Sequence, residues 1–179
     1  MVYFFIAEGF EEIEALCPID LLRRAGVEVK TVGIGGNMIT GAHGITVMTD
    51  VTDKDFVCKA PDMIFLPGGM PGTLNLAASE TVTDAIKTAI VRDAYIAAIC
   101  AAPSILGDAG LLAGKEAICY PGFEDRLTGA KISDKRVIRD GNIITAAGMG
   151  VALDFGLEIV KLFCGEDKAE ALRHAVIAD

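Results

Sequence analysis

Short runs of almost wholly apolar residues alternate along the chain with longer segments in which apolar residues recur at helical spacing. The run Val2 to Ala7 predicts a buried strand, and the segment Glu11 to Ala25 predicts a helix with acids in its first turn and arginines near its end. Pro18 predicts a kink inside that helix, and Gly26 is typical of a C-terminal cap.

The same periodicities predict the remaining elements. Apolar runs predict strands at residues 27–33, 62–66, 95–99, 117–120, 136–139 and 142–146. Helical spacing predicts helices at residues 75–78, 80–92, 101–109, 151–163 and 166–176. The glycine-rich stretch 33–44 predicts a small hairpin that ends in residues 45–48, and Asp140-Gly141 predicts the turn of a second hairpin.

Strands that alternate with helices are typical of an α/β fold with a mostly parallel sheet. The chain is 52% hydrophobic but only 6% aromatic and has no tryptophan, which suits a sheet covered by helices on both faces. No linker, repeat or low-complexity stretch divides the sequence, so we predict one domain over residues 1–179. In such a fold, ligands bind at the carboxyl ends of the strands.

Charge and cysteine content narrow the classes of function. The net charge of −9 argues against nucleic acid as a partner, since phosphate binding needs a basic surface. No run of about twenty apolar residues predicts a membrane span, and Met1 leads into the first strand without the pattern of a signal peptide. Five cysteines without a CxxC pair suggest free thiols in the cytoplasm. Two isolated histidines give little support to a metal site.

Cys100 is the most informative residue. The apolar run 95–99 ends at this cysteine, and a helical pattern of small residues begins at once with Ala101. This arrangement is typical of a nucleophile elbow, in which a strand ends, the chain turns sharply and one reactive side chain lies at the start of a helix. The unpaired N–H groups at a helix start lower the pKa of a thiol, so we expect a reactive thiolate.

Two other groups follow strands that should end at the same edge of the sheet. Glu11, Glu12 and Glu14 follow the first strand, and Gly68-Gly69 follows the strand at 62–66. The glycine amides and the amide of Ala101 would bind a developing oxyanion or a sulfur-bound oxygen. A glutamate that is protonated in a dry pocket would donate a hydrogen bond to the thiolate. Glu14 is the candidate, because it is separated by one residue from the adjacent pair Glu11 and Glu12 and is therefore expected to point in another direction.

Each of these residues also has a purely structural interpretation. Cys100 would be a small buried hydrophobe, as Cys17, Cys58, Cys119 and Cys164 are expected to be. The three glutamates would be solvated acids of a first helical turn, and Gly68-Gly69 would be a simple turn. Sequence alone leaves these alternatives open.

Taken together, these segments resemble the ThiJ/PfpI superfamily, in particular its branch containing the parkinsonism-associated protein deglycase and its small bacterial relatives. Similarity in order and spacing covers nearly the whole chain, and the combination of E-E-x-E, L-P-G-G and A-x-C-A-x-P is specific. The matching segments are residues 9–15, 18–20, 23–26, 62–69, 97–103 and 148–150.

The resemblance implies a flavodoxin-like three-layer sandwich that forms a homodimer. It puts the family's nucleophile or redox cysteine at Cys100, the glutamate that contacts the thiol at Glu14, and the backbone donors at Gly69 and Ala101, with Gly68 beside them. Members are described as cofactor-free glyoxalases, as deglycases, as chaperones and as oxidative-stress sensors. Some larger relatives are proteases or amidases.

The chain departs from the family pattern at one position. Many relatives carry a histidine before a proline after the strand that follows the nucleophile's helix, and here that position is Tyr120. A tyrosine is a poor general base at neutral pH because it ionises only near pH 10. Peptidase or amidase activity is therefore the weaker expectation. Tyr120 and His43 are the two accessory candidates. The family's hairpin arginine aligns best with His43, which would reach a dimer partner's site.

The main hypothesis is a cysteine-dependent, cofactor-free enzyme of the glyoxalase or deglycase type that acts on methylglyoxal or early glycation adducts. In it, the Cys100 thiolate adds to an aldehyde and Glu14 shuttles the proton. The alternative is an oxidative-stress sensor or redox-regulated chaperone in which Cys100 is oxidised to a sulfinate. Both hypotheses need a small reactive site and neither needs a membrane or a nucleic acid.

Overall fold

The computed structural model describes residues 1–178, so Asp179, the last residue of the predicted domain, lies outside the described residues. The helices are α1 (Glu12–Ala25), α2 (Gly72–Ala77), α3 (Glu80–Val91), α4 (Pro103–Asp108), α5 (Ala152–Cys164) and α6 (Glu166–Ala175). The strands are β1 (Val2–Ala7), β2 (Val29–Ile34), β3 (Met38–Thr40), β4 (Thr46–Met48), β5 (Val51–Thr52), β6 (Met63–Leu66), β7 (Tyr95–Ile99), β8 (Glu116–Ala117), β9 (Lys131–Ile132), β10 (Val137–Asp140) and β11 (Ile143–Ala146).

Seven strands form the central sheet in the order β10-β11-β7-β6-β1-β2-β5. Neighbouring strands are parallel except for the β10–β11 hairpin at one edge. β3 and β4 pair as the small antiparallel hairpin that the glycine-rich stretch predicts. The mostly parallel α/β sheet of the sequence prediction is thereby confirmed.

Helices cover both faces of the sheet, and β1 shows why. Its side chains alternate, with Phe4 and Ile6 in one apolar core and Tyr3 and Phe5 in the other. Side chains of α1, α5 and α6 fill the first core, and side chains of α2, α3 and α4 fill the second. Burial on both sides makes each central strand a continuous apolar run, which is why the sequence pattern identifies these strands well.

Several boundaries differ from the prediction. α2 begins at Gly72 rather than at residue 75, and α4 begins at Pro103 rather than at residue 101. The strand predicted at 117–120 ends at Ala117, so the prediction is wrong beyond that residue. The next amide, Ile118 N–H, donates to the side-chain oxygen Thr145 Oγ1 rather than to the backbone of a neighbouring strand. α1 runs continuously through Pro18. Among residues 1–178, no helix has the length and apolar character needed to cross a bilayer.

Gly107 allows α4 to pack closely against the loop at residues 126–127. A Cβ at this position would overlap the carbonyl oxygen of Arg126 and lie 2.7 Å from Cα of Leu127. We expect Gly107→Ala to lower the free energy of unfolding by about 1–3 kcal/mol, because backbone atoms cannot move aside as a flexible side chain can. Chemical denaturation measures this change.

Gly36→Ala is the matched control. Nothing lies within 4 Å of a Cβ at Gly36, so the expected change there is under about 1 kcal/mol. Equal unfolding free energies for the two variants would contradict the close packing at Gly107.

Candidate active site

Cys100 lies in a strained turn between β7 and α4. Its φ angle of 64° lies in the left-handed region, which costs a residue other than glycine about 1 kcal/mol or more. Two backbone hydrogen bonds hold this turn: Cys100 N–H donates to the Ala146 carbonyl at 2.9 Å, and Tyr120 N–H donates to the Cys100 carbonyl at 2.8 Å. This is the geometry of the predicted nucleophile elbow.

Glu14 lies in the first turn of α1 and is fully buried. Its Oε2 accepts a hydrogen bond from Gly68 N–H at 3.0 Å, whereas its Oε1 has no hydrogen-bond partner among the described residues. A Cβ at Gly68 would lie 2.6 Å from both the Cys100 Cβ and the Glu14 Oε2. The missing side chain at Gly68 therefore allows the carboxyl group and the thiol to meet.

Burial and charge shift both groups of this pair. Burial raises the pKa of Glu14 to about 7, and the charge of Glu11 acts in the same direction. Burial, followed by the charge of an ionised Glu14, raises the pKa of Cys100 to about 12, although the amides of Ala101 and Gly69 donate toward the sulfur and lower it. The lowered thiol pKa expected from the helix start is therefore wrong while Glu14 is ionised, because burial and the Glu14 charge outweigh the two amides.

Tyr120 and Gly148 cover the buried carboxyl group. A Cβ on Gly148 would lie 3.3 Å from the Tyr120 ring and 3.8 Å from the unpartnered Glu14 Oε1. The amide of Met149 lowers the pKa of Glu14. Gly148 and Met149 are missing from the residues predicted for the site. The rule that locates the others would have found them, because they follow β11, a strand parallel to β7.

Comparison with known proteins agrees with the mostly parallel α/β arrangement of strands and helices. A sequence profile of the DJ-1/PfpI family matches residues 1–162. The chain belongs to the DJ-1/PfpI family.

Similar family members match nearly end to end. Protein dj-1beta of Drosophila melanogaster is 32% identical over 175 residues, which cover 96% of this chain and 94% of that protein. The Caenorhabditis elegans protein named glutathione-independent glyoxalase DJR-1.2 is 34% identical, with 92% and 89% covered. The structure of oxidized Toxoplasma gondii DJ-1 superposes with a TM-score of 0.91 at 31% identity, covering 98% of this chain and 97% of that one.

The three glutamates after β1 have three different partners in this DJ-1/PfpI protein. Glu11 caps α1 by accepting the Glu14 N–H at 2.7 Å. Glu12 is buried and binds the tip of the β3–β4 hairpin, where its carboxylate accepts the His43 N–H at 2.7 Å and pairs with His43 Nδ1 at 2.8 Å. Only Glu14 faces Cys100. Adjacent residues of a helix point about 100° apart, so consecutive acids separate in this way.

Glu11, Glu12 and His43 are also close enough to be considered as metal ligands, since their ligand atoms lie within 4.8 Å of one another. Their oxygens already accept hydrogen bonds from backbone amides and from the imidazole. These contacts account for the cluster as a structural tether between α1 and the hairpin.

The Glu12–His43 pair predicts a pH dependence. Its hydrogen bond raises the pKa of His43 above the ordinary 6.5. Burial acts to raise the pKa of Glu12, but the hydrogen bonds from His43 and Ile45 outweigh it and lower that pKa. The stabilisation that comes from His43 is complete below about pH 6.5 and is lost as the pH rises through the raised pKa of His43. The stabilisation that comes from Glu12 is lost as the pH falls through the lowered pKa of Glu12.

In Glu12→Gln, we expect the pKa of His43 to return toward 6.5, because the partner charge is gone. An NMR titration of the imidazole protons measures this shift, and His174 on α6 should titrate as in the native protein. An unchanged His43 titration would contradict the pairing.

Proposed function

We propose that this protein is a cofactor-free enzyme of the glyoxalase or deglycase type that acts on methylglyoxal or early glycation adducts through Cys100. One observation carries the proposal: a fully buried glutamate with an unpartnered oxygen faces a cysteine held in a strained elbow. A similar family member named a glutathione-independent glyoxalase supports the same class of reaction.

The reactive form of the pair carries the negative charge on the Cys100 sulfur and the proton on Glu14. The amides of Gly69 and Ala101 donate toward the sulfur, and hydrogen bonds to a charged group are worth more than those to a neutral one. A protonated Glu14 would donate its own hydrogen to the sulfur. An ionised Glu14 would instead repel the thiolate.

The chemistry then needs only this pair and water. The thiolate attacks the aldehyde carbon C1, a carbon–sulfur bond forms, and the carbonyl oxygen takes the Glu14 proton to give a hemithioacetal. During this step the amides of Gly69 and Ala101 stabilise the developing oxyanion. The Glu14 carboxylate then removes the proton from C1 and delivers it to C2, while the C1 hydroxyl proton moves to the C2 oxygen.

This proton transfer oxidises C1 to a thioester and reduces the ketone at C2 to an alcohol within one molecule. Water cleaves the thioester, which releases lactate and restores the thiol. A group that must both donate and accept a proton works best with a pKa near the working pH, and burial gives Glu14 a pKa of about 7. Tyr120 has no proton-transfer role in this scheme.

Incubation of the purified protein with methylglyoxal in the absence of glutathione tests the proposal. We expect lactate to form, and an acid quench during turnover, which slows thioester hydrolysis, should leave a lactoyl thioester on the peptide that contains Cys100. Lactate formation no faster than in a protein-free control, with no adduct on that peptide, would refute the proposed function.

A second candidate function is an oxidative-stress sensor or redox-regulated chaperone. The same amides and a protonated Glu14 would bind the oxygens of a sulfinate. Two equivalents of peroxide would be consumed, the first giving a sulfenic acid and water and the second the sulfinate. A similar solved structure is named oxidized Toxoplasma gondii DJ-1.

Mass spectrometry after mild peroxide treatment tests this second function. We expect two oxygens to be added at Cys100 before Cys164, although Cys164 is the more exposed thiol. Equal oxidation of both cysteines would argue against a sensor.

We also propose that the protein is a homodimer in the cytoplasm. Large apolar side chains lie exposed on α1 and on the β3–β4 hairpin, namely Ile13, Met38, Ile45 and Met48. A second copy would cover them, and His43 at the hairpin tip would then lie near the partner's site. Light scattering gives the oligomeric state, and full activity of His43→Ala would remove the accessory role.

A further inference from the structure

Three large apolar residues whose backbones border the Cys100–Glu14 pair have side chains open to solvent: Met70, Tyr120 and Met149, here called the rim. Their exposed fractions are 47%, 51% and 53%. They come from three different connections, those between β6 and α2, β8 and β9, and β11 and α5, so the fold and not the local sequence brings them together.

The backbone of each rim residue is tied to the reactive pair. Met70 follows Gly69, whose amide donates toward the Cys100 sulfur. Tyr120 N–H donates to the Cys100 carbonyl at 2.8 Å. The Met149 amide acts on the Glu14 carboxyl group. The rim therefore has a fixed position relative to the atom that would attack a substrate.

Single exposed hydrophobic residues are normal on protein surfaces. Three whose backbones border one reactive thiol can supply the apolar wall that small-molecule sites use to bury a ligand's carbon atoms. In the scheme above, Cys100 bonds to C1 of the aldehyde and the polar groups bind its oxygens. The substituent on C2 is then the part left to contact the rim.

We propose that the rim selects neutral 2-oxoaldehydes that carry an apolar or aromatic substituent, in preference to methylglyoxal. This inference rests on the proposed function. A single methyl group offers little apolar area to these side chains, whereas a phenyl ring offers much more. A preference of about tenfold in kcat/KM is expected, since even one methylene in a hydrophobic pocket can contribute that much.

The first experiment compares kcat/KM for phenylglyoxal and methylglyoxal, each divided by its rate of addition to a free thiol. Met149→Gln and Tyr120→Asn should each reduce the preference by about threefold, whereas Tyr120→Phe should keep it because the ring remains. Val91→Gln is the control, because Val91 ends the helix before β7 and lies at the other end of the sheet from Cys100. A preference that these substitutions leave unchanged would overturn the inference.

A second experiment avoids turnover. Cys100 is alkylated with iodoacetamide and with N-phenyliodoacetamide, reactions in which the sulfur displaces iodide, and the rate ratio is compared with that of free cysteine. A ratio that favours the phenyl reagent and falls in Met149→Gln supports the rim even if no lactate forms, in which case only the proposed function fails. If lactate forms but the ratio of the two alkylation rates equals that of free cysteine, the rim inference is wrong and the proposed function still holds.

Discussion

Replacing Cys100 with serine is expected to reduce lactate formation from methylglyoxal by at least about 10³-fold. The loss of an attacking nucleophile is among the largest effects that one substitution has on an enzyme. A serine hydroxyl in the same elbow would keep the shape of the site but would ionise far less readily than a thiol. Product formation measured with saturating substrate gives the change in kcat.

Cys164→Ser is the matched control for this prediction, because Cys164 is exposed at the end of α5. It should keep native activity, and both variants should unfold at native temperatures. If native protein and Cys100→Ser form lactate equally slowly, the covalent scheme fails even though the fold is intact.

Replacing Glu14 with leucine is expected to change two measurements at once. The turnover number should fall by about 10²–10⁴-fold, which is the usual contribution of a positioned proton-transfer group. The pH midpoint of Cys100 alkylation should rise by about one to two units, because a hydrogen bond to a charged sulfur is worth about 1.5–3 kcal/mol. Rates of iodoacetamide labelling across pH give this midpoint.

Glu14→Gln separates the two roles of this residue. Its amide still donates a hydrogen bond to sulfur but cannot transfer a proton, so activity should fall as in the leucine variant while the midpoint moves less. A midpoint that falls in Glu14→Leu would show that the native carboxyl group is ionised and repels the thiolate. In that case the charge distribution argued for the pair would be reversed.

The sheet was predictable because its central strands are buried on both faces. Continuous apolar runs such as Val2–Ala7 and Tyr95–Ile99 leave little room for another interpretation. The meeting of Glu14, Gly68 and Cys100 follows from the same rule, since β1, β6 and β7 are neighbours and end at one edge. The elbow was predictable because small residues follow an apolar run, and the left-handed φ angle of Cys100 is the sharp turn that this pattern predicts.

The sequence could not show which partner each of Glu11, Glu12 and Glu14 contacts, because the position of the hairpin tip depends on tertiary packing. Two-residue strands such as β5 and β9 carry too few side chains to form a pattern. The pKa of the thiol was expected in the wrong direction because the helix-start argument ignores desolvation, which depends on what packs around Cys100. Gly148 was missed although it follows β11, a strand parallel to β7, and the strand-end rule applied to β11 identifies it.

Gly68 restricts how this protein can diverge. Any side chain there would intrude between the thiol and the carboxyl group, so position 68 should tolerate almost no replacement in a saturation mutagenesis library. The rim side chains meet no such barrier, because each already extends into solvent. Descendants of this gene can therefore acquire new chemical preferences through positions 70, 120 and 149 while the reactive centre stays unchanged.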